Sequence, residues 1–254
     1  MEDHAYIGEL IGGVVYLVVG VRLLWLGQRS GEAPERLLAA SMLAMTVSAC
    51  CYVLPNFPAF EAYWDPLNFA GRVATIVYTV LFALFTWRVF RPGARWGAWL
   101  VWASAISLVT GVGGSAMVGD WEGFSIHSGW FQIEWIGYTF PFAWAAVETF
   151  AQFLQARRRV RLGLCDRLVC NRYLLWALFA LFQVSLSLVI LPQYAEYQAT
   201  NQFTATWDAI YGAVEVASLL MIWLVFFPPA FYRRWIDRLG TAGDAAEEAS
   251  PDGG

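Results

Sequence analysis

The chain has 254 residues and a formal net charge of −4, with 59% hydrophobic, 17% aromatic and only 14% charged residues. That balance lies outside the range of soluble globular domains and points to a membrane protein; no nucleic-acid partner is expected. All sixteen basic residues are arginine, so a lysine Schiff base of the retinal type is excluded from the start.

Seven apolar runs have the length that crosses a hydrocarbon core, about 20 residues each: 6–27, 36–54, 69–90, 96–117, 131–154, 173–191 and 206–227. The first is preceded by acidic residues, "MEDH", where a cleavable signal needs a positive start, so it is expected to remain as a spanning helix. Glu9, Gly13, Tyr16 and Gly20 share one face of it, and Arg22 lies farther along. Pro34 and Pro55 bracket the second run, near whose end Cys50 and Cys51 stand side by side as ordinary packing residues. Asp65 and Pro66 supply a cap and first-turn proline for the third, Arg72, Thr75 and Thr79 mark its polar face, and Pro92 closes it.

The fourth run carries Ser104, Ser107 and Thr110, which have no accompanying base and are expected to bond within the helix or to a neighbour. In the loop that follows, Asp120, Glu122 and His127 read as solvated residues rather than a metal site. The fifth run holds Glu134, Tyr138, Pro141, Ala145, Glu148 and Gln152 at alternating spacings of four and three, a seam that must face protein. Pro192 is expected to end the sixth. In the seventh, Asp208, Tyr211, Glu215 and Ser218 form a polar stripe with Gly212 beside it. Charge at mid-bilayer costs about 2.5 to 3.5 kcal/mol on insertion scales, so Glu215 should face the bundle rather than lipid. Pro228 and Pro229 then break the helix ahead of a short interfacial segment. Residues 239–254 are acidic and too poor in apolar side chains to fold alone, so a disordered tail follows the helical domain, 1–238.

Orientation follows from the arginines. With the N-terminus outside and the C-terminus cytoplasmic, fifteen of the sixteen lie at or near the inner face, and Arg72 alone falls at the outer end. Three inner hairpins turn through "LGQRSGEAPER", "WRVFRPGARWG" and "RRRVRLGLCDRL". Together with "FFPPAFYRRWI" and "ETFAQFLQARRRVRLGLCDRLVCNRYLLWAL", these segments resemble a family of uncharacterised bacterial seven-helix integral membrane proteins, rhodopsin-like in topology only. The resemblance implies a multi-pass protein of the bacterial inner membrane and carries no site residue.

The expected fold is therefore an all-α, polytopic bundle of seven transmembrane helices. Its candidate ligand- or proton-binding residues are Glu215, Asp208, Tyr211, Glu134, Tyr138, Arg72 and Glu9, gathered in a water-filled cavity that opens outward between helices 1, 3, 5 and 7. The plainer alternative is a set of register-fixing ion pairs, Arg72 with Glu134 or Glu215, and Arg22 with Glu148. Haem needs axial ligands and zinc hydrolases need several histidines, whereas His4 and His127 both lie outside the spans; no cofactor and no metal is expected. The leading expectation is a sensor or receptor-like protein in a lipid bilayer, with a cytoplasmic protein partner at the arginine-rich loops. A small proton-coupled transporter and a structural or assembly subunit are the alternatives. An enzyme ranks last, for want of a nucleophile, metal set or cofactor motif.

Overall fold

The computed structural model describes residues 5–120, 125–202, 204–236 and 238. Its long helices are α1 (Ala5–Ser30), α2 (Ala33–Val53), α3 (Trp64–Phe90), α4 (Arg95–Met117), α5 (Gly129–Arg161), α6 (Arg167–Thr200) and α7 (Ala205–Phe226). A shorter helical segment over 230–236 follows. Each of the seven apolar runs lies largely within one of these helices. The acidic tail, 239–254, falls outside the described residues, as do Glu122 and His4.

Local chemistry explains most boundaries. Ser128 caps α5 by accepting from the Trp130 amide at 3.2 Å, and Asp166 caps α6 by accepting from Leu168 at 2.6 Å. Pro34 sits in the first turn of α2, and Pro228 and Pro229 separate α7 from the segment at 230–236. The three arginine-bearing turns each carry a glycine in the left-handed region, Gly31, Gly93 and Gly163, where a Cβ would be strained. Pro192 departs from expectation: α6 runs through it to Thr200, and the helix stops only at Asn201, itself left-handed with φ 55°. Packing of α6 against α5 and α7 on both sides holds the helix together across the missing N–H.

Six of the helical segments are long and apolar enough to cross a membrane, namely those built on α1, α2, α3, α4, α6 and α7. The chain thus has the architecture of a polytopic membrane protein. Helix α5 is more polar, because Glu134, Glu148 and several amide and aromatic side chains interrupt its apolar surface. It packs against α3, α4 and α6, so those polar groups face protein.

The packing order is a closed ring. Helix α1 packs on α2, α2 on α3, α3 on α5, α5 on α6, α6 on α7, and α7 back on α1, while α4 lies outside against α3 and α5. Hydroxyls tie neighbours together: Thr46 Oγ1 donates to the Gly13 carbonyl at 3.2 Å, Ser41 Oγ to that of Tyr78 at 2.9 Å, and Ser107 Oγ to that of Ile133 at 2.5 Å. Asn171 at the start of α6 donates to the Tyr232 hydroxyl at 2.7 Å and fastens the 230–236 segment beneath the ring.

The interior divides by chemistry. Toward the arginine-rich end it is aromatic: Phe82 of α3 stacks on Phe142 of α5 at 4.7 Å and meets Phe179 of α6 edge-on at 6.3 Å. Trp176 continues the cluster to Phe85, Phe179 and Phe226. Toward the N-terminal end the interior is polar.

Candidate functional site

The layer of polar groups toward the N-terminal end of α1 is organised by Arg72, only 3% exposed. Its guanidinium forms an ion pair with Glu134 of α5, Nε donating to Oε1 at 3.3 Å while Nη2 meets Oε2, and Nη1 donates to the Asp120 carbonyl at 2.9 Å. A helix–helix approach sets up this pair. At Gly111 of α4 a Cβ would stand 2.7 Å from the Glu134 backbone nitrogen and 2.8 Å from its Cα, so only glycine lets α5 come this close. Glu9, Tyr52 and Tyr194 complete the layer, within electrostatic reach of Arg72, Glu134 or one another.

The middle layer is a hydrogen-bonded network centred on Gln183 of α6, 2% exposed. Its Nε2 donates to the Tyr16 hydroxyl at 3.2 Å and to Ser218 Oγ at 3.0 Å, and its Oε1 accepts from the Tyr138 hydroxyl at 3.3 Å. One amide thereby joins α1, α5, α6 and α7. Tyr78 of α3 packs edge-on against Tyr138, ring centres 6.2 Å apart. The sequence reading missed Gln183, a lone amide in the apolar stretch "LFQVSLS". The clue was available: an uncharged but strongly polar side chain deep in a span should be bonded to other helices.

Glu215 lies beside this network, one helical turn from Ser218, and is 9% exposed. Its carboxylate is set against the backbone of α1: a Cβ at Gly8 would be 3.0 Å from Oε2, and one at Gly12 would be 3.0 Å from Oε1. Glu9, Tyr16, Tyr138 and Tyr211 lie within electrostatic reach of it. Among the described residues, no side chain donates a hydrogen bond to Glu215 or pairs with its charge. Tyr211 and Asp208 lie above it on the same stripe, half-buried, with Asp208 Oδ1 accepting from Gln193 Nε2 at 2.9 Å.

One expectation changes. Between α1, α3, α5 and α7 the middle layer holds Tyr16, Tyr78 and Tyr138, two of whose phenols bond to Gln183. A groove of about 450 Å³ lies on the outer surface of α1 by Leu17, Val21 and Phe227. It is the inner ion pair that differs: Glu148 Oε1 accepts from Arg91 Nε at 2.8 Å and from Trp144 Nε1 at 3.2 Å. Arg22 is exposed and stacks instead over the Phe227 ring at 4.4 Å. The reason is the ring order, which places α1 beside α2 and α7, whereas Arg91 at the end of α3 adjoins α5.

Among the described residues no group of three or more His, Cys, Asp or Glu side chains is arranged to hold a metal ion. No protein family, curated protein or solved structure matches the chain.

Proposed function

We propose that this chain is a seven-span sensor or receptor-like protein of the bacterial inner membrane, with α5 as the seventh span, the N-terminus outside and the C-terminus cytoplasmic. A small ligand or proton binds at Glu215 and changes the packing of the helices around it. The observation that carries this reading is a buried carboxylate without a partner among the described residues, placed against α1 and one turn from the Gln183 network. Charge in such a setting costs several kcal/mol unless it is compensated, so an occupant there alters the balance between helix arrangements. Three of the helices meeting at the site, α1, α5 and α6, run into arginine-rich linkers, where a cytoplasmic partner would read the change.

Reconstituted vesicles provide the test. Saturable binding without solute or proton flux, lost in Glu215→Gln, is the expected result. Should Glu215→Gln and Glu134→Gln leave binding, stability and phenotype all unaltered, the site has no such role.

One observation favours a transporter as the second reading. The ring maps onto itself when α1, α2 and α3 are exchanged with α5, α6 and α7: the α3 and α5 contact becomes the contact of α7 and α1, and α4 is left over as the connector. Two parallel three-helix units joined by a single helix suit rocking about a central site. Flux that vanishes in Glu215→Gln would select this reading over sensing.

A further inference from the structure

We propose that the groove on the surface of α1 seats an anionic phospholipid, its phosphate on Arg22 and an acyl chain along Leu17, Val18 and Val21. This site stands apart from Glu215 and does not depend on what binds there. Its place in the fold, its uncompensated cation and the order of its lining residues lead to it.

The groove lies where α1 outlasts its neighbour. Helix α7 stops at Phe226 and gives way to Pro228 and Pro229, whereas α1 continues beyond Arg22 to Ser30, about 12 Å farther along its axis. The space of about 450 Å³ is lined by Leu17, Val18, Val21, Arg22 and Trp25 of α1 and by Phe227. Arg22 lies over the Phe227 ring at 4.4 Å, and that ring stacks in turn on Trp223 at 4.5 Å. A guanidinium held by its face keeps its N–H edge for an acceptor. The ion pairs among the described residues belong to Arg72 and Arg91, so no carboxylate takes up Arg22. Nor does one take up Arg29, two turns farther on, which stacks over Trp25 at 3.7 Å.

The order of the lining selects the occupant. Leu17, Val18 and Val21 lie deeper in the span and are exposed, while Arg22 and the interfacial Trp25 lie toward the arginine-rich end. A phospholipid has the same order, with its chain inside and its phosphate at the boundary. A guanidinium facing acyl chains loses water, and a phosphodiester supplies both the opposite charge and paired acceptor oxygens. An anionic headgroup is favoured over a zwitterionic one, because an added ammonium would meet Arg22 and Arg29 on one face of α1. A second copy of this chain fits less well, since a two-fold contact across this face brings two Arg22 side chains into one interface. A free phosphate leaves the apolar floor of the groove uncovered.

The test uses the full-length protein in a neutral detergent, its Tm followed as phosphatidylglycerol, phosphatidylcholine or inorganic phosphate is added at constant ionic strength. A saturable rise with phosphatidylglycerol is expected, at least tenfold tighter than with phosphatidylcholine, and none with phosphate over the same range. Arg22→Gln should weaken the apparent affinity at least tenfold, and so should Val21→Trp, which fills the groove and keeps the charge. Arg158→Gln, exposed at the same end of the bundle on α5, should leave it unchanged. Native mass spectrometry gives a reading that does not rely on melting: one anionic phospholipid retained per wild-type chain and lost from Arg22→Gln. Equal affinity in Arg22→Gln, or equal response to the two lipids, overturns the proposal. So does a rise with inorganic phosphate that Val21→Trp leaves intact, which would make the site one for a free anion. A dimer that Val21→Trp dissociates, with no response to lipid, would overturn it in favour of a second copy.

Discussion

A guanidinium inside a bundle must replace its water with protein oxygens, and Arg72 does so with the Glu134 carboxylate and the Asp120 carbonyl. Such a pair is weak evidence for net stability, since desolvating two charges offsets much of their attraction. Its members are nonetheless bound to each other: removing one strands the second. Arg72→Ala is expected to destabilise the fold by about 3 to 5 kcal/mol, and Glu134→Ala by a similar amount. The double variant Arg72→Ala with Glu134→Ala should be more stable than the sum of those losses implies, because no lone charge remains. Denaturant melts of the cycle decide it, and additive losses would show that the two side chains act independently. Residue type and depth alone narrow the partner of Arg72 to Glu134 or Glu215, and the packing of α3 on α5 selects Glu134. The pairing of Arg91 with Glu148 could not be read that way, because it depends on which helices are neighbours. Gln183 was overlooked for a related reason: without formal charge it does not stand out, although its amide bonds to side chains of three other helices.

At the scale of single helices, the polar seams on α5 and α7 were legible because 3.6-residue periodicity alone assigns a face. Bounds were less so. Pro192 reads as a stop, yet α6 continues for two turns beyond it under support from both neighbours. Close approach between helices was hidden in the glycines, whose sequence context does not tell a packing position from a neutral one. Gly111 and Gly113 make the contrast testable. A Cβ at Gly111 meets the backbone of α5, which no rotamer change relieves, whereas one at Gly113 meets nothing within 4 Å. Gly111→Ala should therefore cost about 1 to 3 kcal/mol by pushing α4 from α5 and loosening Glu134 against Arg72. Gly113→Ala should be neutral or slightly stabilising, since alanine is the better helix former. Equal effects in thermal melts would mean that the α4 and α5 contact is not as close as the structure has it.

Across the whole molecule, the two halves of the ring interior answer different demands. The N-terminal half holds carboxylates, phenols and amides that want water or a guest, and the arginine-rich half holds rings that exclude both. Phe82 is the joint of the aromatic layer, bridging α3 to α5 and α6 while only 1% exposed. Replacing it with alanine removes contacts worth about 3 to 5 kcal/mol and leaves a void directly below the tyrosines. The consequence separates the competing functions. In a transporter the aromatic layer is a gate, so Phe82→Ala should raise proton or cation leak through vesicles while Glu215→Gln in the same background suppresses it. In a sensor it is only a packed core, and Phe82→Ala should lower Tm without opening a path, leaving vesicle permeability at the wild-type level. A leak that persists when Glu215 is neutralised would argue against both, since ions would then be crossing without using the buried carboxylate at all.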